Sequence, residues 1–167
     1  MINNILQDFE RNKGNIKGKF ILFFFRLTSY LCYSKNSILR IISFPLLVFY
    51  KLFFEWMLGC ELPPKTKVGN GLIIYHGQSL VINDNTIIGS NVILRNNTSI
   101  GNKIDNYGVV SGSPIIGDNV EIGVNVSIIG NISIGKNSII GAGSFVVKNI
   151  PENSVVAGNP AKIIKKI

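Results

Sequence analysis

From Val68 to Val146 an aliphatic residue returns every six positions. The series runs Val68, Ile74, then Ile82, Ile88, Leu94, Ile100, then Ile116, Ile122, Ile128, Ile134, Ile140 and Val146. A period of six fits neither the 3.6-residue turn of a helix nor the two-residue alternation of a strand meander. It fits a coil with three flat sides, about eighteen residues per turn, whose aliphatic side chains point inward and stack coil upon coil. Four positions after most of these residues stands a small or β-branched one: Thr86, Val92, Thr98, Val120, Val126, Ser138 or Ser144. Gly and Asn between them supply left-handed corners at low cost. The expected fold is mainly β, a triangular parallel β-helix of roughly four coils, and its handedness does not follow from spacing alone.

The pattern breaks twice. Between Ile74 and Ile82 it slips by two residues, and in that break, within "LIIYHGQSLVI", stands His76, the only histidine of the chain. Between Ile100 and Ile116, "GNKIDNYGVVSGSPI" has four residues more than two whole sides. About ten residues must therefore leave the coil, giving a loop at about 102–114. Loops of that size on a rigid scaffold usually serve a site or a neighbouring chain.

Residues 1–56 read differently from residues 57–167. "KGKFILFFFRLTSYLCYS" and "SILRIISFPLLVFYKLFFEWML" carry apolar residues at helical spacing, with Arg26, Arg40, Lys51 and Glu55 breaking every run. The longest uncharged apolar stretch is about ten residues, short of the ~20 that span a bilayer. Two or three amphipathic helices are expected. Their aromatic load and positive charge suit peripheral contact with an anionic membrane surface, while packing on the coil base or on a sister subunit is the other expectation. The two are compatible.

The net charge of +8 has no RNA motif, zinc pattern or helix-turn-helix spacing beside it, so nucleic acid is not the expected partner. Cys32 and Cys60 form no CxxC pair, and no signal-peptide pattern is seen. A reduced, cytoplasmic setting follows as the expectation.

"CELPPKTKVGNGLIIYHG", the hexapeptide units after it and the closing "VVAGNPAKII" of the terminal segment 151–167 resemble the serine acetyltransferase-like branch of the hexapeptide-repeat acyltransferases. Within that branch the likeness is to bacterial capsule and exopolysaccharide O-acetyltransferases, and it covers about residues 57–167. The resemblance implies a left-handed parallel β-helix, a homotrimer with active sites between subunits, acetyl-coenzyme A as co-substrate, and no metal. It makes His76 the general base that takes a proton from the attacking alcohol, work an imidazole can do near neutral pH. Glu61, fifteen residues earlier and close to one coil turn, is the expected orienting acid, about one strand spacing below His76. Cys60 beside it has no neighbouring cation to favour a thiolate and reads as packing.

For coenzyme A the matching positions are Gly123, Val124, Gly141 and Ala142, with Lys162 as a phosphate contact. Tyr75, Arg95, Asn97 and Tyr107 are placed on the acceptor side by proximity in the repeat. Serine acetyltransferases carry an arginine and a second histidine ahead of the proline that reopens the coils, where this chain has Gly112 and Ser113 in "SGSPIIG". That departure turns the expectation toward a sugar hydroxyl of a surface polysaccharide, with serine O-acetylation as the alternative and a non-catalytic β-helical scaffold as the reading from another class. A carbonic anhydrase-like site would need three histidines around zinc, and the chain has one.

Overall fold

The computed structural model describes residues 5–167. A turn-rich segment, residues 5–15, leads into α1 (Ile16–Cys32), α2 (Ser37–Ile42), α3 (Phe44–Tyr50) and a π-helical turn over Lys51–Met57. From Cys60 the chain winds into a three-sided parallel solenoid of five turns. One face holds β1 (Cys60–Glu61), β4 (Leu80–Ile82), β7 (Ser99–Gly101), β10 (Ser127–Ile129) and β13 (Phe145–Val146). The second holds β2 (Lys67–Val68), β5 (Ile87–Ile88), β8 (Ile115–Ile116) and β11 (Ser133–Ile134). On the third lie β3 (Ile73–Tyr75), β6 (Ile93–Arg95), β9 (Glu121–Ile122), β12 (Ile139–Ile140), β14 (Ser154–Ala157) and β15 (Lys162–Lys166), the last antiparallel.

The hexad residues form the core, and all but half-buried Val68 are buried. The second series, Thr86, Val92, Thr98, Val120, Val126, Ser138 and Ser144, is buried too, so each side turns two residues inward. The solenoid has one turn more than expected because it starts earlier. Leu62, six positions before Val68, already points into the core with Cys60. At one corner Asn91, Asn119, Asn137 and Asn153 all adopt left-handed φ of 55–60°. Their side-chain amides bond in series along the axis, at 3.2, 3.0 and 2.9 Å. Asparagine tolerates that backbone better than most residues, and stacking gives each amide a partner.

Register shows how the two breaks are accommodated. Val81 pairs with Ser99, eighteen residues on, but Cys60 pairs with Leu80, twenty on, and Ser99 with Ser127, twenty-eight on. Inter-coil backbone bonds hold the sides in phase, so the surplus residues are extruded at corners. The larger insertion is the expected loop, braced by Asp105, whose carboxylate accepts from the Tyr107 and Val109 amides.

The first coil has no coil beneath it, so its backbone groups would be left open. The N-terminal region covers them with side chains. Arg26 donates to the Val68 and Gly69 carbonyls, Arg11 to Gly71, Asn12 to Leu72, Asn15 to Ile74 and the Tyr50 hydroxyl to Leu62. Asp8 accepts from the Leu72 amide at 3.0 Å and holds Arg26 in a buried ion pair at 2.8 Å. Packing on the coil base, one of the two roles expected for this region, is thus realised by residues 8–26 and Tyr50. Asp8→Ala should lower stability to urea unfolding by about 3–5 kcal/mol, because it leaves a buried guanidinium and a strand amide without their acceptor.

Candidate functional site

His76 follows β3 directly. The Gly77 amide donates to the Tyr75 carbonyl at 2.9 Å while His76 itself has φ 70°, which makes it the centre of a γ-turn. A positive φ there is rare and costs about 1–3 kcal/mol outside glycine. Three of the four residues 76–79 lie in the left-handed region, so the two-residue surplus is absorbed by one tight corner. The imidazole is thrown outward and stands exposed.

Behind it the turn is backed by the fold. A Cβ on Gly77 would lie 2.9 Å from Ile21 Cδ1 of α1 and 3.7 Å from Cys60 Sγ. The strain at His76 is thus held by packing on both sides.

Glu61 is on β1, exposed, beside Val81 in the ladder. This corrects the expectation that it lies one strand spacing below His76. The coil there is twenty residues long, so a fifteen-residue offset falls on the next face. The two residues still lie near one corner of the prism, since the space beside Gly77, next to His76, is bounded by Cys60, next to Glu61. No hydrogen bond or ion pair joins Glu61 to His76 within the chain, among the described residues.

Glu61 lines a groove of about 560 Å³ on the outer side of the first face, with Lys51, Glu55, Asn83, Asp84 and Asn102 among its walls. The corner of His76 and the loop after β7 flank that face. Lys51 and Glu55 line this groove, a placement that sequence reasoning missed. Their only signal was that they interrupt an apolar helical run; the π-helical turn sets them into the groove. Burial raises the Glu55 carboxyl above its ordinary range, Lys51 opposes this, and Glu61 adds to it.

Of the acceptor-side residues, Tyr75 and Arg95 are ladder partners, with the guanidinium 5.2 Å from the ring centre, and Arg95 also pairs with Glu121. Asn97 sits one coil above the His76 corner, its amide donating to the Gln78 carbonyl. Tyr107 is at the tip of the long loop, 92% exposed, and is not brought to the other three within one chain. Ser113 donates to Asn83 at 2.8 Å, so the place of the second histidine is taken by a neutral pair.

Among the coenzyme candidates, Gly123 has a reason of its own to be glycine. A Cβ there would come within 2.6 Å of the Ala142 amide on the next coil, so coil stacking alone forbids a side chain. Val124, Ala142 and Lys162 are exposed, and Gly141 is half-buried. Burial pushes the Cys60 thiol up to about 12, which fits packing and not nucleophilic chemistry.

The comparisons agree with this architecture. Residues 113–148 match the family model described as bacterial transferase hexapeptide (six repeats). Over those residues the coils are hexapeptide repeats. No curated protein sequence matches the chain. Among solved structures, serine acetyltransferase from Brucella abortus strain S19 in complex with coenzyme A is similar, with TM-score 0.80 and 26% identity over 99% of this chain and 68% of that one. The soybean serine acetyltransferase apoenzyme gives 0.79 and 26% over 97% and 68%. The Neisseria gonorrhoeae enzyme gives 0.79 and 26% over 99% of this chain and 65% of that one. The likeness includes the N-terminal helices, and the chain spans about two thirds of each relative.

Glu55 generates a pH prediction. A carboxyl raised in the fold binds more protons folded than unfolded, so stability falls as pH rises from the ordinary carboxylate range through its raised value. Glu55→Gln should remove that fall, read from urea midpoints across pH 4–7.

Proposed function

We propose that this chain is an acetyl-coenzyme A-dependent O-acetyltransferase that uses His76 as general base. The observation that carries the reading is the γ-turn. The one imidazole of the chain is held at φ 70°, exposed, at the corner where the repeat is forced open, on a fold shared with coenzyme A-binding acetyltransferases. Strain retained at an exposed polar residue points to a site.

In the proposed reaction the acceptor hydroxyl oxygen attacks the thioester carbonyl carbon while His76 takes the hydroxyl proton. The C–S bond then breaks, and the imidazolium returns the proton to the departing thiolate. Glu61 acts from the same corner, orienting the imidazole once acceptor and a neighbouring subunit close the cleft. Val124, Gly141 and Ala142 form the exposed wall for the pantetheine arm, with Lys162 toward the phosphates. Assembly as a homotrimer, expected for hexapeptide transferases, places sites between subunits and brings Tyr107 of the long loop to a neighbour's site.

For the acceptor, the comparisons favour serine, since the similar structures are serine acetyltransferases. A specific observation favours a second acceptor, a sugar hydroxyl of a surface polysaccharide or its precursor. Gly112 and Ser113 offer no cation for an amino-acid carboxylate, and the groove presents Glu55 and Glu61 against Lys51, while Asp84 is paired with Lys65. Carboxylates repel a carboxylate and accept hydrogen bonds from hydroxyls.

Release of coenzyme A thiol from acetyl-coenzyme A, with serine or with capsule oligosaccharides as acceptor, separates the two. Rapid turnover on serine would remove the saccharide reading, and turnover on oligosaccharide alone would remove serine. His76→Ala should lower turnover about 100- to 10,000-fold while leaving coenzyme A binding by calorimetry unchanged. Near-normal turnover in that variant would overturn the proposal as a whole.

A further inference from the structure

The helical region has two faces, and only one of them is used. Over residues 41–56 the side toward the protein is Ser43, Tyr50 and Phe54, all buried, with Leu47 and Phe53 half-buried. The opposite stripe, at helical spacing, is Ile41, Phe44, Val48, Leu52 and Trp56, exposed by 39–80%. A surface helix of a water-soluble protein carries polar residues there. α2 is the extreme case. It has three isoleucines and a leucine among six residues and buries none of them, although Asn36 caps it with two hydrogen bonds.

Such a continuous apolar surface marks a contact. Around it stand Lys35 and Arg40, exposed and in no ion pair among the described residues, while Lys51 and the half-buried Glu55 turn toward the groove. Apolar and aromatic residues fringed by cations match the headgroup boundary of an anionic bilayer. No described helix is long and apolar enough to cross a membrane, so the helix would lie on the surface.

We propose that α2, α3 and the π-helical turn form a peripheral docking surface for an anionic lipid bilayer. The π-helical turn gives this surface a functional position. It places Lys51 and Glu55 in the groove and presents Leu52 and Trp56 on the lipid side. Docking therefore holds the groove at headgroup level, where an acceptor carried on a lipid would be presented. This last step rests on the saccharide reading of the acceptor, whereas the docking itself does not.

Trp56 is the only tryptophan of the chain and 80% exposed, so its emission reports the surface directly. The full chain is mixed at low salt with vesicles of phosphatidylcholine alone or with phosphatidylglycerol added. The expected result is flotation with the anionic vesicles and a blue shift of Trp56 emission on binding. Both should weaken with salt, and affinity for the anionic vesicles should fall by about fivefold for Arg40→Gln. Leu52→Ser with Val48→Ser should abolish flotation while leaving the folded circular dichroism spectrum intact. Failure of the native chain to float, or Trp56 emission already blue without lipid in a species larger than a trimer, would overturn the proposal; the latter would assign the face to a second copy. Acetyl transfer to any soluble acceptor is measured separately, so failure of docking and failure of the enzymatic reading are distinguishable.

Discussion

The open backbone edge of the first coil is the constraint from which the rest of this molecule follows. Every later coil finds its hydrogen-bond partners in the coil before it, but the strand run from Leu62 to Ile74 has none. Six side chains from the N-terminal region stand in for the missing coil, and the Asp8–Arg26 pair is the centre of that substitution. Burying such a pair is costly unless its remaining donors and acceptors are met, and here the guanidinium spends its other protons on two strand carbonyls. With the base fixed, each further coil is a copy, and the phase of the three faces is set along the whole axis.

A scaffold so strictly in phase tolerates surplus residues only at its corners. The two insertions flank the first face, one bringing His76 out of the wall and the other carrying Tyr107. The candidate site is thus a by-product of register: a strained turn and a loop beside a groove. The acidic walls of that groove contrast with the net charge of +8. Lys51 is the one cation among its lining residues, and most of the others lie at the helical fringe and near the end of the solenoid.

Much of this could be read from the chain. The hexads located the core because the two inward positions of each side, the aliphatic residue and the one four places on, repeat by a local rule, and the excess over eighteen located both insertions. His76 was visible as a titratable group at a break. What could not be read was anything decided between distant segments. Arg26 and Asp8 are only eighteen residues apart, but they meet over Leu72, and nothing in the helical pattern marks that destination. The offset of Glu61 was misjudged because the surplus at 76–79 lengthens the very coil used to measure it. Gly123, expected from the resemblance to contact coenzyme A, is required as glycine by coil stacking in any case, because the next coil's backbone leaves no room for a Cβ.

The far end of the solenoid is finished as firmly as the near one. β15 reverses direction and pairs antiparallel with β14, so the third face ends in a strand that no incoming coil could continue in parallel, and its side chains include Lys162, Lys165 and Lys166. With the first coil's edge covered by helix side chains and the third face ended by a reversed, cationic strand, that face has no open parallel edge at either end, a device that works against lengthwise stacking into a fibre.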